Sequence, residues 1–222
     1  MSASSLFAGL SASECIRIAS SATVRTFDPD EFLFMQGQVG RSLMLIQSGH
    51  VKLTQLSSTG NEVILWMSGE REPIGILLDP LQSNCRYTCS AQAMDRVAAL
   101  IWDYDRLRLF LEQYPRIRAN MNGILFSRLE ELQERFREIA TERVPKRLAM
   151  ALLRLSRQVG KPHAAGVQVL LSREELAQLV GTTLFTISRI LSRWDEDGVV
   201  LARREAVVVR NPAYLENHPD LD

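Results

Sequence analysis

The chain has 222 residues, 46% of them hydrophobic, and 26 acidic against 26 basic side chains, so its net charge is zero. That length and apolar content serve one large domain or two small ones. No run approaches the ~18 apolar residues of a membrane span, and "MSASSLFAGLSASE" has neither the basic nor the apolar region of a secretion signal. Three cysteines, Cys15, Cys85 and Cys89, are an odd number that fits a reducing cytoplasm better than a disulfide framework. Zero net charge is silent about nucleic acid. The local balance is not: from Arg143 to Arg210, twelve Lys and Arg stand against six Asp and Glu, a basic region on a neutral chain.

A short helix is expected over "SASECIRIASS", with Ser11 or Ser13 as N-cap. Up to about Trp102, short alternating apolar runs are punctuated by Gly37, Gly40, Gly49, Gly60, Gly69 and Gly75. "LMLIQSG", "HVKLTQLSSTG" and "NEVILWMSG" read as strands joined by turns, so this section is a β-roll or sandwich. After "WDYD" a helix is predicted over "RLRLFLEQY", and Pro115, suited to a first helical turn, opens a long one. On it Met121, Leu125, Leu129, Leu132, Phe136 and Ile139 are spaced 4, 4, 3, 4 and 3 apart, the spacing of an a/d seam. Such a narrow stripe packs either on the chain's own β-domain or on the same helix of a second copy. The charged flanks, "RLEELQERFREIATER", favour the second.

From Val144 the pattern is helical. "VPKRLAMALLRLSRQVG" is an amphipathic helix closed by Gly160, and "GVQVLLS" is a short extended piece. "SREELAQLV" opens with a capping box, Ser172 and Glu175 satisfying each other's backbone N–H. Gly181 makes a tight turn, Thr183 caps the next helix, and "VVLA", "RREA" and "VVVR" form a hairpin with an arginine-rich tip, read as a wing.

The helix after Gly181, "GTTLFTISRILSRWDEDGVV", already has an apolar stripe in Ile187, Ile190, Leu191 and Trp194. Leu184, Phe185, Ser188 and Arg189 fall largely outside it, near the N-terminal end. Two helices joined by a glycine turn, the second exposing polar residues early, form a helix-turn-helix pattern. Thr182, Thr183 and Ser188 can hydrogen-bond phosphates or bases. Arg189 has the planar fork that pairs with guanine, and an exposed Phe185 suits a thymine methyl. Leu184 and Phe185 could equally pack on the first helix or the wing.

"LSREELAQLVGTTLFTISRILSRWDEDGVV" resembles the winged helix-turn-helix of the cyclic-AMP receptor protein/FNR family of bacterial transcription regulators, with Thr186 to Arg189 the specific run. The glycine-spaced β-roll, long seam helix and C-terminal DNA domain stand in that family's order. The resemblance implies an α+β fold: a β-roll of the cyclic-nucleotide-binding jelly-roll type over 1–114, a dimerisation helix over 115–143 and a winged helix-turn-helix over 144–222. It implies a homodimer on a palindromic DNA site, contact with RNA polymerase, and a small effector at the N-terminal domain. Many members carry Glu where Phe185 stands, accepting from a cytosine amino group. Phe185 cannot accept, so the half-site is expected to keep a guanine for Arg189 while gaining tolerance or a thymine preference beside it.

The effector is not legible. In cyclic-nucleotide-binding members a Gly-Glu-Leu segment is followed by Arg-Ser or Arg-Thr. Here Gly75 fits, Ile76 stands where Glu is expected, Arg86 could meet a phosphate and Tyr87 replaces the small hydroxyl. Leu132 and Gln133 fall where adenine-binding hydroxyls belong, so the pattern argues against cyclic AMP. Three cysteines exclude a four-thiolate iron–sulfur cluster within one chain. On a strand, Cys85 and Cys89 are ~13 Å apart, which favours buried small hydrophobes, and a thiol switch stays open. So does haem, although His50, His163 and His218 have no partner at metal-ligand spacing and His163 reads as part of a linker.

No nucleophile elbow, P-loop, dinucleotide fingerprint or paired metal ligands occur, so an enzyme is not expected. The expected activity is sequence-specific transcription regulation, set by an effector or redox signal or constitutive. Arg193, Arg203 and Arg204 would meet phosphates, and Val144 and Pro145 would form a hinge. The competing reading is a β-roll ligand- or protein-binding module whose helices serve only assembly.

Overall fold

The computed structural model describes residues 4–75 and 86–217. The chain divides into two compact units, 1–60 with 68–131 and 61–67 with 132–222. In chain order the elements are α1 (Ala12–Ser20), β1 (Thr23–Phe27), β2 (Phe32–Phe34), β3 (Ser42–Ser48), β4 (Val51–Leu56), β5 (Glu62–Ser68), β6 (Pro73–Gly75), β7 (Ser90–Ala93) and β8 (Val97–Asp103). There follow α2 (Tyr104–Gln113), α3 (Pro115–Thr141), α4 (Val144–Gln158), β9 (Lys161–His163), β10 (Gly166–Val169), α5 (Arg173–Val180), α6 (Leu184–Glu196), β11 (Val200–Ala202), β12 (Val207–Val209) and α7 (Pro212–Asn217).

Two four-stranded sheets make the roll, in the orders β1-β8-β3-β6 and β2-β7-β4-β5. Successive side chains of a strand point to opposite faces, yet Leu43 to Ile46 on β3 are all buried. The reason is a cover on the first sheet: Leu43 and Leu45 join a core with Leu6, Phe7, Cys15, Ile18, Leu100, Trp102, Leu107, Leu111, Tyr114 and Ile117. Ser11 caps α1 in a capping box with Glu14, and the Trp102 indole donates to the Ile18 carbonyl at 2.9 Å, fastening α1 to β8. Asp103 caps α2 by accepting from the Arg106 amide.

Two expected seam residues face inward here. Met121 is 2% exposed within that same core, and Leu125 packs half-buried against it. They face the chain's own β-roll, so the outward stripe of α3 is rotated from the expected one. Phe126, absent from the expected seam, is exposed together with Leu129, Phe136 and Ile139.

In the second unit, β9 and β10 extend the wing hairpin into a sheet ordered β11-β12-β10-β9. His163, expected in a linker, therefore stands on a strand, its Nδ1 accepting from the Ala165 amide. The short helix α7, which the sequence reading lacked, buries Leu215 and packs against α4. Glu138 of α3 is buried and pairs with Arg154 of α4, its Oε2 accepting from Nη2 at 3.0 Å. Removing one member of a buried pair strands the other charge, which costs about 3–5 kcal/mol. Because Arg154 keeps 23% of its side-chain exposure, the Glu138→Ala variant is expected near the lower end, about 3 kcal/mol by denaturant unfolding. Replacing both residues by Met and Leu should recover most of that loss.

Candidate nucleic-acid interface

The helix pair α5–α6 is built by local chemistry. The Ser172 hydroxyl accepts from the Glu175 amide while the Glu175 carboxylate accepts from the Ser172 amide. Gly181 closes α5 in the left-handed region, φ +72°, and both its amide and that of Thr182 donate to the Ala177 carbonyl. A residue with a Cβ is strained at that φ. Thr183 then caps α6, its hydroxyl accepting from the Thr186 amide at 3.2 Å and lying 2.9 Å from the Thr186 hydroxyl.

Burial of Ile187, Ile190, Leu191 and Trp194 sets the rotation of α6 about its own axis. That rotation turns Leu184 and Phe185 to solvent, 50% and 76% exposed. Residues three and four apart on a helix are neighbours, so Phe185, Ser188 and Arg189 share one surface. Arg189 is exposed and has no hydrogen bond or ion pair to any described residue. Thr182 and Ser188 are half-buried, while Thr183 is exposed with its hydroxyl engaged in the cap. Arg193 lies 3.9 Å from Asp197 with most of its side chain in solvent. In the wing, the Arg203 amide donates to the Ala206 carbonyl, closing the turn, and Arg204 is almost wholly exposed. Asp195 of α6 accepts from the Ala202 amide and holds β11 to the helix.

Two arginines that the sequence reading did not single out anchor this pair. Arg147 on α4 donates to the carbonyls of Val180 and Gly181, each at 3.2 Å, and to that of Glu142. Arg135 on α3 donates to the carbonyls of Leu179 and Ile64. Cations at a helix C-terminus satisfy its free carbonyls and complement its dipole. With Arg154 committed to Glu138 as well, part of the local positive charge is structural.

In the first unit, Gly75 has φ +93°, and a Cβ there would lie 2.5 Å from the Ser42 carbonyl. Ile76, Cys85 and His218 fall outside the described residues. Arg86 is exposed and donates to the Gly37 carbonyl at 2.6 Å. Tyr87 is buried, its ring stacked on Phe34 and its hydroxyl 3.2 Å from that of Ser42. On α3, Leu132 is half-buried and Gln133 exposed. Cys15 lies in the core, and burial pushes the Cys89 thiol above its ordinary range, which disfavours the reactive thiolate. His50 donates its backbone N–H to Asp95 and sets its ring Nδ1 2.8 Å from the same carboxylate. Among the described residues no three His, Cys, Asp or Glu are grouped to hold a metal, and no helix is long and apolar enough to cross a membrane.

A charged cluster that sequence spacing did not reveal also belongs to this unit. Arg128 donates to the Pro73 carbonyl at 2.6 Å beside Glu72 and Cys89. Burial pushes the Glu72 carboxyl up, against the pull of Ser68 and Arg128, and pushes Arg128 down.

Residues 24–114 match the cyclic nucleotide-binding domain family, and residues 146–218 match the Crp-like helix-turn-helix domain family. The chain is 32% identical to the cyclic AMP receptor protein of Thermus thermophilus across 97% of each chain. The chain belongs to the cyclic-AMP receptor protein/FNR family. It is 28% identical to the CRP-like cAMP-activated global transcriptional regulator of Mycobacterium tuberculosis over 89% of this chain and 90% of that one. Its fold matches the global regulator CLP of Xanthomonas campestris with a TM-score of 0.78 at 23% identity, over 90% of this chain and 99% of that one. Members of this family are DNA-binding transcription regulators rather than enzymes, and in this regulator α5–α6 is the helix-turn-helix.

The Glu72 carboxyl of this regulator gives a pH signature. An acid whose folded value lies above its unfolded value, about 4.3 for Glu, holds its proton longer in the folded state. Its contribution is therefore most favourable below the unfolded value and is lost as pH rises through the folded one. Thermal unfolding of Glu72→Gln against wild type across that interval should favour the variant increasingly as pH rises, with a constant difference above it.

Proposed function

We propose that this regulator is a bacterial cytoplasmic homodimer that binds a palindromic DNA site already without ligand and acts through RNA polymerase, tuned by an effector other than cyclic AMP. The observation that carries the DNA reading is the surface of α6: an uncommitted Arg189 beside exposed Phe185 and half-buried Ser188, on a helix whose rotation is fixed by its buried stripe. Arg189 reads a guanine, and Arg193, Arg203 and Arg204 meet phosphates, giving a strongly salt-dependent affinity. With recognition helices about 34 Å apart, the dimer meets successive major grooves. Val144 and Pro145, at the start of α4, are the hinge at which an effector biases the populated domain orientation.

Dimerisation is supported by α3, where Phe126, Leu129, Phe136 and Ile139 recur at spacings of 3, 7 and 3 and stay exposed, Phe126 by 61% and Phe136 by 74%. Four large apolar side chains in a row along a charged helix have the pattern of a coiled-coil seam. The case against cyclic AMP rests on Arg86 and Tyr87, bonded to Gly37 and Ser42, together with the lack of the expected Glu.

A random-duplex binding selection on the purified protein, alone and with cyclic AMP, tests this reading. A palindrome with guanine in each half-site is expected from both, and Arg189→Ala should lose the guanine preference. Enrichment of no sequence, or unchanged selectivity in Arg189→Ala, would overturn it. In sedimentation, Leu129→Glu/Phe136→Glu should shift the particle from two chains to one and abolish tight binding to the full palindrome while leaving the fold intact by circular dichroism.

A further inference from the structure

Placing an aromatic ring in water is costly, and a monomeric surface rarely groups large apolar side chains without a use. Phe185 is 76% exposed and Leu184, beside it, 50%, on the first turn of a helix that already has a complete buried stripe. Their exposure contributes nothing to the packing of α6. Neither side chain can donate or accept a hydrogen bond, so of the groups a base pair offers in the major groove they match only one: the C5-methyl of a pyrimidine. The polar side chains on this face, half-buried Ser188 and exposed Arg189, carry the polar reading.

We infer that Phe185, flanked by Leu184, is a specificity-determining residue that reads a pyrimidine C5-methyl group next to the guanine read by Arg189. This rests on the DNA reading proposed above and deepens it. Phe185 lies one helical turn, about 5.4 Å, before Arg189. Base pairs are about 3.4 Å apart, so the methyl-bearing pyrimidine stands one or two steps from the guanine. The same methyl occurs on thymine and on 5-methylcytosine. Methylation of a cytosine at that step therefore raises affinity, making binding responsive to cytosine modification as well as to sequence.

The test uses the full-length protein and the palindrome recovered by selection, with three changes at the pyrimidine step of one half-site: thymine to uracil, thymine to cytosine, and thymine to 5-methylcytosine. Uracil removes one methyl and leaves every hydrogen-bonding group in place. It should weaken binding about fourfold, the worth of one buried methyl. Cytosine should bind weakly, and 5-methylcytosine should regain a similar factor over cytosine. Phe185→Ala should bind uracil and thymine duplexes alike, whereas Phe185→Leu should keep part of the methyl dependence. Because Phe185 is exposed, neither change threatens the fold, which circular dichroism checks.

Three outcomes overturn the inference. If uracil binds as well as thymine while Arg189→Ala still loses the guanine, DNA reading stands and methyl reading falls. If Phe185→Ala weakens both duplexes and preserves their ratio, the ring is a wedge between bases or a brace, and it does not read the methyl. If no sequence is enriched at all, both readings fall together.

Discussion

Burial of one stripe on α6 is the constraint from which the exposed face of the helix-turn-helix follows. Ile187, Ile190, Leu191 and Trp194 are buried, and each large apolar side chain taken from water is worth about 1.5–3 kcal/mol. Successive residues of a helix are about 100° apart, so slipping the stripe by one position would turn the whole outer face away. The Thr183 cap fixes where the helix begins, and Asp195 ties its last turn to the wing. With start, rotation and end all determined, the side chains left outside have a defined place: Phe185 and Arg189 side by side, with Arg193 beyond them.

The long helix α3 meets a different demand, because its apolar residues serve two faces. Ile117 and Met121 fill the core under the β-roll, while Phe126, Leu129 and Phe136 point outward. Between these sets lie charges with specific employment: Arg128 at the Pro73 carbonyl, Arg135 at Leu179, and Glu138 in its pair with Arg154. A helix that looks like a plain charged rod in sequence is therefore committed on several sides.

Features written in neighbouring residues were legible beforehand. The Ser172–Glu175 capping box, the serine cap of α1, the Pro115 start, the Gly181 turn, the Thr183 cap and the wing hairpin all depend on contacts within a few positions, where residue type nearly determines geometry. The apolar stripe of α3 is legible in the sequence, but which of its residues face the β-roll is not. Met121 belongs to the same apolar periodicity as Leu129, and only the β-roll packed against it decides that it faces inward. Phe126 was overlooked because 4-3 spacing fits more than one phase on a helix rich in apolar residues. The Glu72–Arg128 cluster and the two arginines at the end of α5 join residues tens of positions apart, and no local pattern announces them. The helix α7 is six residues long, too short to show a period, and β9 carries a proline that masks its extended character.

The bonds from Arg135 and Arg147 end on main-chain carbonyls of residues 179 to 181 and on no side chain there. Every amino acid offers the same carbonyl, so this anchor survives almost any change in the sequence it grips. The outward positions of α6, which contribute neither to the anchor nor to the buried stripe, can then be exchanged singly without unsettling the support. A scaffold of this kind separates support from surface, so a single substitution at an outward position such as Phe185 changes what the helix presents without changing how it is held.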